Sequence, residues 1–197
     1  RILAMTLVVS VHTTSLTNAA DDLASHALIV LLHVSREVFF LLSAFVLFYQ
    51  YAHRRVALGA FWRRRYWFIA VPYVTWSAIY LVANGAPWAS PLSALGLFWH
   101  DLWTGSASYQ LYFLLVTAQL YLVFPLVVKL VRATRGHHWR VFGISLAIQL
   151  AMTGEIEYGW PVHLSGSLAQ PNAWLPAYQL FVITGALAAD HWRELLD

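Results

Sequence analysis

Apolar residues in this chain come in long runs divided by short polar segments, a pattern suited to helices lying in hydrocarbon and unlike the alternation of a strand. The runs fall at residues 2–17, 27–52, 66–83, 109–131, 141–153 and 173–189. The second, ALIVLLHVSREVFFLLSAFVLFYQYA, would be ~39 Å long as a helix, against a hydrocarbon core of ~30 Å. The fifth is the shortest. Between the third and fourth runs, residues 84–108 are rich in Gly, Pro, Ser and Trp. Within them LSALGLFWHDLW reads as a short helix lying in the interface, with Trp99 and Trp103 in the aromatic belt. The pattern predicts an all-α, polytopic integral membrane protein with about six transmembrane helices.

The second run is interrupted by Arg36 and Glu37. A charge near mid-bilayer costs ~2.5–3.5 kcal/mol even on the lenient insertion scale, so such residues persist only where they face protein or water. Neighbours at i and i+1 point to different faces of a helix. The expectation is that the pair is not simply self-neutralising and that Arg36 and Glu37 each find a partner elsewhere. The plain alternative is a salt bridge that locks helices together.

Composition agrees with the pattern: 60% of residues are hydrophobic, 11% are charged, and the mean hydropathy is +0.60, far from the soluble range. Cysteine is absent, which removes disulfides, thiolate nucleophiles and cysteine-ligated metals. The net charge of +3 matters less than its distribution. Threading the runs alternately through a bilayer puts Arg1, Arg54, Arg55, Arg63, Arg64, Arg65, Lys129, Arg132, Arg135, Arg140 and Arg193 on one face. Asp21, Asp22, Asp101, Glu155 and Glu157 fall on the other. Positive charge collects on the cytoplasmic side, so both termini of the chain are expected to be cytoplasmic, in the plasma (inner) membrane. A secretory signal is the competing reading of the first run, although an h-region seldom holds a histidine. The chain opens on Arg1 and is apolar from Ile2. It reads as a fragment, the N-terminal portion of a larger bundle.

Several of its polar residues are candidates for chemistry. His12 lies eleven residues after Arg1, ~16 Å along a helix, and an imidazole at that depth suits proton transfer. A hydrogen bond to a neighbouring helix is the equal alternative. His33 and Glu37 stand four residues apart and share a helix face, either as a carboxylate-oriented histidine or as a polar rim. Arg63, Arg64 and Arg65 open the third run. Their ordinary role is topological, meeting anionic head groups, and their functional one is to grip the phosphates of a nucleotide-like donor. Other signatures are missing, among them GxxxxGK, HExxH, GxSxG and the His-x-x-x-x-Asp pair of glycerolipid acyltransferases.

Taken in order, four segments resemble the acyltransferase 3 family, polytopic enzymes that acylate sugars and other acceptors at the extracytoplasmic face. Arg1-ILAMTLVVSV-His12 matches its Arg, ten residues, His motif. VFFLLSAFVLFY is similar to its Phe-Phe-x-x-Ser-Gly-Phe segment, with Ala44 where Gly is usual. FWRRRYWFIAVPYVTWS resembles the basic lead-in to its Pro-Tyr span, with Arg65 at the recurrent arginine and Phe68 where a second is often found. SYQLYFLLVTAQLYLVFPL resembles its His/Gln-Leu-Tyr-Phe segment through Gln110, Tyr112, Tyr121 and Pro125. The family has roughly ten spans and this chain offers six, so further site residues belong to spans outside it.

The resemblance implies a membrane-bound O-acyltransferase, most simply an O-acetyltransferase. Its donor would be acyl-CoA, used as a substrate with no permanently bound cofactor and no metal. The acceptor would be a hydroxyl of a glycan or lipid-linked molecule; membrane lipids are the other partner and nucleic acid is not one. By the resemblance His12 becomes the general base; Glu37 is added as a second catalytic residue from its own place in the second run, in the outer half of the membrane, with contact to the acceptor as the alternative. Arg1, Arg63, Arg64 and Arg65 become donor-binding residues, and Arg36, His33, Gln110 and Tyr112 substrate-binding ones. A transporter or flippase for a glycan precursor is the rival reading, and a purely structural subunit the third.

Overall fold

The computed structural model of the chain describes residue 6 and residues 23–51, 57–85, 90–108, 110–158 and 171–192. Every regular element among them is helical: α1 (Leu23–Tyr51), α2 (Leu58–Ala83), α3 (Pro91–Thr104), α4 (Tyr112–Ala133), α5 (His138–Tyr158) and α6 (Gln179–Asp190). Two short 3-10 turns, Pro171–Ala173 and Leu175–Tyr178, precede α6. The run 2–17 lies outside the described residues.

The bundle is knit by α1 lying along α6, α2 along α4, and α5 against α6. Phe40, Ala44, Leu47 and Phe48 of α1 recur at the spacing of one helix face. They meet Val116, Leu120, Phe124 and Val127 of α4 and Val182, Ile183 and Ala186 of α6 in a single core. Small residues let α1 and α6 approach closely. A Cβ on Gly185 would come within 2.2 Å of the Leu41 carbonyl oxygen.

Outside this core the usual order of polarity is reversed. On α5 the buried face carries Ser145 and half-buried Gln149, while Phe142, Ile144, Leu146, Ile148 and Leu150 are exposed. On α2, Trp67, Phe68, Val71, Val74 and Ile79 are exposed and Ser77 is fully buried. A surface of this kind is costly in water and neutral in hydrocarbon. Among the described residues two helices, Leu58–Ala83 and Tyr112–Ala133, are long and apolar enough to cross a membrane.

Three expectations change. The helix of the third run begins earlier than the run itself, since α2 starts at Leu58 and carries Arg63, Arg64 and Arg65 within it. The fifth run extends at both ends, to 21 residues. Correspondingly, the sixth is not one continuous span. Its helix has 12 residues, ~18 Å, since Pro171 and Pro176 hold the preceding backbone in 3-10 turns. Six spans were expected; among the described residues length and composition support two.

Irregular backbone inside an apolar bundle needs internal partners, and glutamines supply them. Gln119 donates through Nε2 to the Ala173 carbonyl (2.9 Å) and accepts the Leu175 amide on Oε1 (2.9 Å). The Gln149 amide donates to the Ala177 carbonyl (2.8 Å). Ser145 Oγ and Gln179 Oε1 are paired at 2.6 Å. These bonds fix the 3-10 turns, and with them Tyr178, fully buried at their end.

The expected short helix 92–103 is present as α3, with Trp99 and Trp103 exposed. Gly105 ends it in the left-handed conformation (φ 73°), where a Cβ would come within 2.8 Å of the Tyr112 Cα. Only glycine suits that position. The tight approach delivers Tyr112 to the start of α4.

Candidate functional site

Arg36 and Glu37 sit together in the wall of the bundle, with side chains 26% and 18% exposed. Contrary to the expectation from their adjacency, they are bonded to each other: Arg36 Nε and Nη2 both donate to Glu37 Oε1, at 3.1 and 2.8 Å. Backbone directions do diverge at i and i+1, but two long side chains fold back over one another. The expectation of a further partner holds for Arg36. Its Nη1 donates to the Tyr112 hydroxyl at 3.0 Å, and its guanidinium carbon lies 5.1 Å from the centre of the Tyr178 ring.

That arrangement leaves the carboxylate asymmetric. Glu37 Oε1 is saturated by the guanidinium, whereas Oε2 is buried and has no hydrogen-bond partner among the described residues. Leaving a buried charged oxygen unmatched is expensive. It is therefore the natural seat for a hydroxyl or an N–H from outside this set.

Around the pair, side chains are held rather than loose. The ring of Tyr178 also packs 4.7 Å from that of Phe40, and its hydroxyl donates to the Asn172 carbonyl at 3.0 Å. Gln110, the residue before the start of α4 by two positions, donates through Nε2 to the Tyr80 hydroxyl and accepts the Ser108 hydroxyl at 2.8 Å. Gln110 thus ties α2 to the loop before α4, while Tyr112 belongs to the Arg36 cluster. His33 lies one turn before Glu37 on the α1 backbone. Its side chain is outside what the structure describes, as are His12 and Arg1 entirely.

The arginines of α2 form a second locus. Arg65 Nη2 donates to Gln50 Oε1 at 3.3 Å, and its guanidinium carbon stands 5.5 Å from the Tyr121 ring centre and 5.9 Å from that of Phe61. Arg63 and Arg64 are exposed. Arg65 is thus fastened to the bundle while its neighbours reach outward. From Arg36 to Gln50 is ~21 Å along α1. The sequence candidates accordingly divide into an Arg36–Glu37–Tyr112 group and an Arg63–Arg65 group, set apart along the same helix.

Reading the sequence did not single out Tyr178 or Tyr80. Each is one tyrosine among many in an aromatic-rich chain. A usable signal did exist for the glutamines, since an uncharged amide inside an apolar run needs a partner just as a charge does.

Set beside known proteins, the chain is matched over residues 1–197 by a family model described as an acyltransferase domain. Neither a curated protein nor a solved structure matches it.

Proposed function

The chain belongs to the acyltransferase 3 family, and from that membership we propose that it is a membrane-bound O-acyltransferase. It moves an acyl group, most simply acetyl, from cytoplasmic acyl-CoA to a hydroxyl of an extracytoplasmic or membrane-linked glycan. The outward apolar faces of α2 and α5 support its place in a bilayer, and the one-sided distribution of Lys and Arg along the sequence supports cytoplasmic chain ends. Glu37 carries the reading of the site: one carboxylate oxygen is bonded by Arg36, and the other is buried with no hydrogen-bond partner among the described residues.

In this reading His12, the histidine of the Arg, ten residues, His motif, is the general base. It takes the proton of the acceptor hydroxyl as that oxygen attacks the thioester carbonyl. The new C–O bond forms, the C–S bond breaks, and CoA leaves as a thiolate that picks up a proton. Glu37 Oε2 receives and orients the acceptor hydroxyl. Arg36 aims the carboxylate, and His33, Gln110 and Tyr112 border the acceptor. Arg1, Arg63, Arg64 and Arg65 bind the donor phosphates, a task for which the planar guanidinium is suited. The long pantetheine arm then spans the gap along α1.

Acetyl-CoA labelled in the acetyl group, given to membranes containing the intact protein, tests this. Covalent transfer of label with release of an equal amount of free CoA thiol is expected. Movement of an unmodified glycan precursor without thiol release would contradict it and favour a transporter.

A further inference from the structure

At the end of the bundle where α4 and α6 finish and α5 begins, His138, Asp190 and His191 come together although 53 residues separate the two histidines. Each is partly buried, and one ligand-capable atom from each lies within 4.8 Å of the other two. His138 Nδ1 stands 2.7 Å from His191 Nε2. On the other side of the same ring, His138 Nε2 lies 2.9 Å from the Val131 carbonyl oxygen. A carbonyl can only accept, so Nε2 carries the hydrogen and Nδ1 of the neutral ring presents its lone pair to His191. That backbone anchor is the support that metal-ligating histidines ordinarily have, because it fixes tautomer and ring direction together.

We propose that His138, His191 and Asp190 bind a divalent transition-metal cation of the zinc type. Two imidazole nitrogens and one carboxylate form a borderline donor set, which suits zinc or cobalt and is poor for magnesium or calcium. Ligand atoms around a tetrahedral ion at ~2.0–2.2 Å stand about 3.3 Å from one another. The imidazoles must therefore part slightly and the carboxylate draw in, movements within reach of side-chain rotation. His191 offers Nε2 once its proton is on the other ring nitrogen. Arg135, 57% exposed, holds Asp190, 11% exposed, at 3.5 Å, and a contact of that length to a guanidinium standing mostly in solvent is weak enough for a cation to displace.

The surroundings leave room for a fourth ligand. His138 and His191 border an open groove whose remaining walls are Trp139, Phe142, Thr184, Leu187 and Ala188. A bound ion would staple the first turn of α5 to the end of α6, and so adds to stability by the free energy of binding. The proposal is independent of the acyl-transfer reading, since it concerns no residue assigned to that site.

Cobalt is the probe, added to the intact protein purified in detergent and freed of metal. One equivalent should bind with the intense visible absorption of a tetrahedral N/O site, and zinc should displace it. His138→Gln and His191→Gln, which retain a hydrogen-bonding side chain, should each lose that spectrum while keeping the wild-type circular dichroism. Asp190→Asn should weaken cobalt binding about tenfold. Zinc should raise the unfolding midpoint of the wild type and of neither glutamine variant. Absence of a tetrahedral cobalt spectrum in the wild type would mean that the imidazoles form only a hydrogen-bonded clasp, and would overturn the proposal. So would a spectrum that survives in both glutamine variants, which would place the metal at other histidines such as exposed His100 or His137.

Discussion

The indole N–H of Trp62 donates to the carbonyl oxygen of Tyr121 at 3.0 Å, and Tyr121 stands four residues before Pro125. Proline has no N–H to return to the i−4 carbonyl, so α2 supplies from a side chain what α4 cannot supply from its own backbone. Tyr66 adds a second bond between the same two helices one turn earlier, donating to the Ala118 carbonyl at 2.8 Å. The same Tyr121 presents its ring to Arg65. A helix defect, an interhelical bond and the placement of a candidate donor-binding arginine are therefore coupled.

Trp62→Phe should keep most of the packing and strand the Tyr121 carbonyl. The expected loss is ~1–3 kcal/mol, the range for a buried polar group left without its partner. Denaturant titration of the detergent-solubilised protein reads it. If Trp62→Phe is as stable as the wild type, the bond contributes nothing.

Arg36→Ala should destabilise strongly, approaching the ~3–5 kcal/mol typical when one partner of a buried ion pair is removed, because Glu37 then has no counter-charge. Arg36→Met combined with Glu37→Gln should recover most of that stability and remain inactive in acyl transfer. Equal stability losses in the single and double variants would show that the pair is not coupled.

Orientation is open to a direct test because the chain has no native cysteine. Cysteines at Ser93 and Ser165 should react with a membrane-impermeant reagent in intact cells, and one at Thr134 should not. Labelling confined to Thr134 would invert the topology.

Arg65→Ala should weaken the use of acyl-CoA, seen as a higher KM for the donor. Arg65→Lys should restore it only in part, since an ammonium reproduces neither the planar fork nor the stacking on Tyr121. An unchanged donor KM in a normally inserted Arg65→Ala protein would leave the arginines with a topological role alone.

Much of the helical plan was legible in the sequence because length and hydropathy determine it. The runs 66–83 and 141–153 fall inside α2 and α5, and residues 112–131 of the fourth run lie in α4. The sixth run misled because hydropathy is blind to backbone conformation, and 173–189 is equally apolar whether or not Pro176 interrupts it. At the site, the peculiarity of Arg36 and Glu37 was visible, and their mutual bond was not. Rotamers decide that bond, and helix periodicity carries no information on rotamers. Tyr178 arrives from 142 positions beyond Arg36 on a turn held by Gln119 and Gln149, a long-range arrangement that no local pattern encodes.

Acyl transfer by His12→Gln tests the central claim most directly. A general base must be neutral to accept a proton, so the wild type should work at neutral pH and fail in acid, whereas glutamine keeps polarity and hydrogen bonding without basicity. The measurement is label moved from acyl-CoA to acceptor per unit of correctly inserted intact protein. The account predicts that His12→Gln is nearly as inactive as His12→Ala while both reach the membrane. A His12→Gln protein transferring at close to the wild-type rate, with only His12→Ala impaired and through low abundance, would contradict it.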